Sequence, residues 1–228
     1  MIENTIAFMI KNHLSKLILM PLLLLAFMPK HINAQELRGI AGIKYELGSV
    51  GFDTEFQTRR LSPTENKQSL LWSFGTEYAL TDWLDVQAAY RYAASGQSGF
   101  YAESSIDYKN KDRVTFDAQL KSKRFDNELK LKNRLRYQIN ISNKGNVSHY
   151  IREKVSFEYK LTGLYRPFAE VEMYYDTDKE EVKALRLYLG SEFDMDKHVV
   201  SVTYIMEADV RSSIDLLYML ELAYSFEL

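Results

Sequence analysis

Residues 213–228 constrain the fold more tightly than any other stretch of the chain. Ile214, Leu216, Tyr218, Leu220, Leu222, Tyr224, Phe226 and Leu228 take every second position, and Asp215, Glu221, Ala223, Ser225 and Glu227 stand between them. Side chains alternate faces in this way along a strand, whereas a helix returns to its apolar face every ~3.6 residues. A strand this long, apolar along one face and aromatic near its end, suits the closing strand of a transmembrane β-barrel.

The same period runs through most of the chain. It recurs in Leu37 to Leu47, Val50 to Arg60, Leu71 to Leu80, Leu84 to Tyr92, Val114 to Ser122 and Leu129 to Ile141. Ile151 to Leu161, Pro167 to Tyr175, Leu185 to Asp194 and Val199 to Asp209 continue it, with Glu153 breaking the apolar track of its segment. Phe100 to Lys109 repeats the pattern most weakly, either as a strand or as the rising arm of a long loop. Tight turns are expected at Gly48-Ser49 and Thr81-Asp82. A single-chain bacterial barrel has an even number of strands, so the expectation is about twelve with Phe100 to Lys109 included, or ten if one segment is misread. With twelve, the tight turns do not all fall at one end.

The first 34 residues read differently. Leu17 to Met28 is an apolar run of twelve, preceded by Lys11 and Lys16 and followed by Ile32-Asn33-Ala34. A helix needs ~20 apolar residues to span a bilayer, so the run fits a secretory signal peptide cut after or within a few residues of Ala34. The expected organisation is a leader over 1–34 and one barrel domain over 35–228. Removing the leader's three basic and one acidic residue from the totals of 29 and 31 leaves a net charge of −4, which gives no reason to expect nucleic acid as a partner. There is no cysteine, hence no disulfide frame, thiolate nucleophile or lipoprotein anchor.

A soluble barrel puts its apolar face inside, and a membrane barrel puts it outside with charge around the lumen. The length of the strands favours the membrane form, because strands of globular proteins are usually ~5–6 residues long. So does the placing of aromatics just before turns, in Tyr45-Glu46-Leu47, Tyr78-Ala79-Leu80, Tyr159-Lys160-Leu161 and Phe193-Asp194-Met195, with Trp83 at the same level. Such a level is where an interfacial girdle belongs.

Several strand patterns carry a family resemblance: RLRYQ (134–138), YIREKVSFEYKL (150–161), FAEVEMYYD (168–176), WLDVQAAYRY (83–92) and the closing LELAYSFEL. In these the chain resembles a family of Gram-negative outer-membrane β-barrels catalogued as domain of unknown function 2490. The resemblance implies an outer-membrane location and no particular activity. Glu153 departs from it, standing where a small or neutral polar residue is expected.

Chemistry is sparse. Outside the leader the histidines are His149 and His198. Ser148 and His149 are adjacent, so on a strand they face opposite ways and form no dyad. Neither histidine has a companion at metal-ligand spacing. Neither a catalytic site nor a cofactor is therefore expected. The lumen should hold a basic ladder, Lys130, Lys132, Arg134, Arg136, Arg152 and Lys154, and an acidic set, Glu158, Glu170, Glu172, Glu192, Glu207 and Glu221. If these pair, the barrel is a passive wall component with a plugged interior. If they line an open path, it is a narrow, porin-like pore. The remaining alternative is an enzyme acting on membrane lipid. The expected partners are outer-membrane lipid and, through the closing strand, the barrel-assembly machinery.

Overall fold

The computed structural model describes residues 35–61, 67–97, 109–122, 125, 128–161, 163–210 and 215–228. The leader and most of Phe100 to Lys109 lie outside them. Among the described residues eleven strands form: β1 (Glu36–Leu47), β2 (Val50–Leu61), β3 (Lys67–Thr81), β4 (Leu84–Gln97), β5 (Lys109–Lys121), β6 (Leu129–Ser142), β7 (Val147–Tyr159), β8 (Tyr165–Asp176), β9 (Glu181–Met195), β10 (His198–Asp209) and β11 (Asp215–Glu227). Each strand pairs with its sequence neighbours, and β11 closes the ring on β1.

The expected twelve strands become eleven. β4 pairs directly with β5 from Leu84↔Leu120 to Ser95↔Lys109, so the ring has no place for a strand between them. The odd count makes the closing pair parallel, Glu36↔Met219 through Lys44↔Glu227. It also puts the two-residue connections at 48–49, 82–83 and 196–197 together at one end of the barrel, which a twelve-strand reading could not do. Gly48 and Asp196 hold left-handed φ values of 62° and 61° in two of these turns. Tight hairpins need that conformation, and glycine and aspartate tolerate it best.

The barrel is inverted relative to a soluble one. Outward positions carry Trp72, Phe74, Phe116, Leu135, Phe157, Val171 and Leu222, all exposed. Inward positions carry Gln57, Asp85, Asp117, Gln138, Arg152 and Glu172, all buried. Tyr45, Tyr78, Trp83 and Tyr159 are exposed on the outer wall beside the tight turns, giving the aromatic belt of a transmembrane barrel.

Packing inside leaves little slack where β9 passes β8. A Cβ at Gly190 would stand 2.8 Å from the Val202 carbonyl oxygen on β10 and closer still to the Phe168 ring. The ring can swing but the backbone carbonyl cannot. Gly190→Ala should therefore cost ~1–3 kcal/mol, the usual range for overpacking, read as a lower urea midpoint for the refolded barrel.

Candidate functional site

The charged lumen is built by strand period and fixed by register. On β6 the inward track is Lys130, Lys132, Arg134, Arg136, Gln138 and Asn140, and on β7 it is Ser148, Tyr150, Arg152, Lys154, Ser156 and Glu158. Pairing sets Arg136 directly opposite Arg152 and Arg134 directly opposite Lys154. Like charges so placed repel, and the next strand supplies the remedy. Glu172 on β8 is opposite Lys154 on one side and Arg186 on the other.

Glu172 is wholly buried. It accepts hydrogen bonds from Arg134 Nη2 at 2.9 Å, Arg152 Nη2 at 2.8 Å and Arg152 Nε at 3.2 Å through Oε1. Its other oxygen accepts from the Tyr188 hydroxyl at 2.6 Å. Arg152 also donates to Gln138 Oε1 at 2.9 Å, and its guanidinium carbon lies 4.2 Å from the Tyr174 ring centroid. Arg186 approaches the same ring at 4.4 Å. Arg134 and Arg152 thus share one carboxylate, and Arg152 and Arg186 share one aromatic ring, in contacts that are strongest where water is excluded.

The other expected residues distribute around this centre. Arg136 grips Asp117 in a fork, Nε to Oδ1 at 2.7 Å and Nη2 to Oδ2 at 2.5 Å. Lys154 meets Glu170 at 2.6 Å, and Ser156 donates to the same carboxylate at 2.9 Å. Lys132 meets Glu158 at 2.8 Å, and Lys130 stands opposite Glu158 in the ladder. Glu207 pairs with Arg186. Glu192 pairs with Arg166 at 3.1 Å. Glu221 is 3.8 Å from Arg38. Arg134, Arg152 and Glu172, with Lys154 and Glu170 joined through the Tyr188 ring, therefore form one connected group, while Arg136, Glu192 and Glu221 belong to other pairs. Sequence reasoning left out Asp117, Arg186, Tyr174, Tyr188 and Arg38. Their signal was there, since each lies on a polar track, but which carboxylate meets which cation depends on register.

Cavities of about 400, 260 and 430 Å³ are lined by inward residues from the tight-turn end to the other. Ile40, Tyr188 and Glu221 border both of the first two, so these adjoin. Ser148 lines the third cavity, while His149 stacks on Tyr137 and bonds its hydroxyl at 2.8 Å. The Tyr137 position is exposed on the outer wall, so serine and histidine sit on opposite faces. His198 makes the same kind of contact with the Tyr224 hydroxyl, at 2.8 Å. Among the described residues no group of three or more histidine and carboxylate side chains could hold a metal ion.

A family model described as a protein of unknown function, DUF2490, matches residues 38–215. The chain belongs to this family. No curated protein matches. Among solved structures the chain is similar to the β domain of the Bordetella autotransporter BrkA, with a TM-score of 0.55 at 10% identity, covering 80% of this chain and 86% of that one. It is also similar to LpxR from Salmonella typhimurium, with a TM-score of 0.52 at 9% identity, covering 80% and 84%. Identities this low establish a shared barrel fold and nothing about activity. The family carries no assigned function, and the solved neighbours give the chain the fold of an outer-membrane type of barrel.

Proposed function

We propose that this DUF2490 barrel resides in the outer membrane as a passive wall component whose lumen is plugged midway by fixed ion pairs. The observation that carries the reading is Glu172, with no solvent exposure and both oxygens engaged by Arg134, Arg152 and Tyr188. A path for hydrated ions needs polar groups that face water and exchange partners with it. Here the central polar groups face one another. The aromatic belt, the apolar outer wall and the leader-like run before Ala34 support the location.

The narrow-pore reading is favoured by one observation, the roomy cavities of about 400 and 430 Å³ on either side of the centre. Protein extracted from the outer-membrane fraction and added to planar bilayers decides between the two. The plugged barrel gives no conductance steps at any holding potential up to membrane rupture. Reproducible unitary steps would replace it with the pore.

A further inference from the structure

Beyond the plug, we propose that the lumen on the side away from the tight turns is a binding chamber for a phosphate-bearing ligand, either a free diphosphate or the phosphorylated headgroup of a glycolipid. The chamber joins the 260 and 430 Å³ cavities, which share Arg59, Arg91, Arg113, Asn140, Tyr150 and Lys183 as walls. Lys111 adds a further cation to the outer cavity.

What sets this half of the lumen apart is unbalanced charge. Around Glu172 each cation of the opposed pairs meets a carboxylate at hydrogen-bond distance, Arg134 and Arg152 on Glu172, Lys154 on Glu170 and Arg136 on Asp117. In the chamber Arg91 stands directly opposite Arg113 in the β4–β5 ladder, and Arg59 directly opposite Arg38 in the β1–β2 ladder. Glu36 is taken up by Arg38 at 2.6 Å, and the carboxylate contacts of Arg59 and Arg91 are long, to Glu36 at 3.9 Å and to Glu55 at 3.7 Å. Among the described residues the side-chain acceptor of Arg113 is the neutral Asn140, at 2.9 Å. Lys183 is spent on the Tyr150 ring, 4.8 Å from its centroid. The Nε of Arg59 is buried with no acceptor. Opposed cations without a bridging anion cost stability, and burying them in a low-dielectric lumen adds to that cost.

A multiply charged oxyanion between Arg91 and Arg113 would do for them what Glu172 does for Arg134 and Arg152. Guanidinium forks match phosphate oxygens in pairs. Asn140 and the Tyr150 hydroxyl offer further hydrogen bonds to bridging or sugar oxygens. The cavities fall within the range of small-ligand sites, ~300–1,000 Å³ when joined. The outer cavity reaches Ser142, Asn146 and Val147 at the β6–β7 connection, so a ligand would enter from that end without passing the plug.

The test uses the detergent-extracted barrel and its thermal unfolding midpoint, followed by the gel shift between folded and unfolded forms. Inorganic pyrophosphate, added against sodium chloride of matched ionic strength, should raise the midpoint saturably. In a parallel arm, micelles carrying a diphosphorylated glycolipid are compared with the same glycolipid dephosphorylated. A response in the first arm identifies free anion and one confined to the second identifies headgroup; either supports the chamber. The double variant Arg91→Gln, Arg113→Gln relieves the opposed charges, so it should fold at least as well as the parent without ligand and bind at least tenfold more weakly. Lys183→Gln should weaken binding to a smaller degree. No midpoint shift in either arm, or an undiminished shift in the double variant, would overturn the proposal.

Discussion

Glu172→Gln should destabilise the barrel by ~3–5 kcal/mol, the largest loss expected from any single lumen substitution. The side chain keeps its volume, so the effect isolates charge. With the carboxylate gone, Arg134 and Arg152 remain as buried cations facing Arg136 and Lys154 across the ladder, and the Tyr188 hydroxyl loses a charged acceptor. Removing one member of a buried pair exposes the full desolvation cost of the rest. The measurement is urea unfolding from phospholipid vesicles, followed by tryptophan fluorescence. Glu192→Gln is the internal control. Its partner Arg166, which Asp194 also pairs with, and both carboxylates keep roughly a quarter to a third of their side-chain surface exposed, so its loss should stay within the ~0–1 kcal/mol of a solvated pair. If Glu172→Gln cost no more than the control, water would already reach the centre and the plug would be gone. A triple change of Glu172, Arg134 and Arg152 to apolar residues of similar size should recover much of the loss, because it removes the unpaired charges as well as the pairing.

Facing and architecture were legible in the sequence because a strand has a strict period of two, so each apolar track names its own side. Leu129, Leu131 and Leu135 declared one face of β6, and Lys130, Lys132 and Arg134 the other, before any fold was in hand. Strand number was less legible. Phe100 to Lys109 alternates weakly, and only the direct β4–β5 register, which already takes in Lys109, shows that the ring has no strand between the two. The even-number rule then pointed the wrong way, and the parallel β1–β11 seam is the geometric consequence. Pairing within the lumen was hidden for a different reason. Glu172 and Glu192 look alike in sequence, but one is set by register between two arginines and the other lies near the tight-turn end against Arg166. Likewise, Arg91 and Arg113 are 22 positions apart in the chain and become an opposed pair only once β4 and β5 are aligned. Charge tracks can be read from a sequence; charge balance at a given depth cannot.

On the outer wall the expected signs reverse. Leu222 is 54% exposed, faces away from the lumen, and has Gly39 and Val202 beside it on the flanking strands. Leu222→Arg should cost ~2–4 kcal/mol in vesicles, the range for a cation on the lipid face at mid-depth, although arginines are common on the lumen side of the same wall. Glu153 supplies the opposite experiment. It is the one charged side chain near the middle of the outward tracks among the described residues, exposed between Leu135 and Met173 in register. Its Oε1 accepts a hydrogen bond from Asn133 Nδ2 at 3.0 Å, a single neutral donor for a group that faces hydrocarbon. Glu153→Val should therefore raise stability, by less than Leu222→Arg lowers it, since carboxylates at such depths cost less than cations. Both values come from the same urea titration in vesicles, and both should shrink in detergent micelles, where water lies closer to the wall. A soluble barrel makes neither prediction: an arginine on its watery outer face would be close to neutral, and valine in place of an exposed glutamate would gain nothing. Loss at Leu222 together with gain at Glu153 requires a hydrocarbon surroundings on the outside of the barrel.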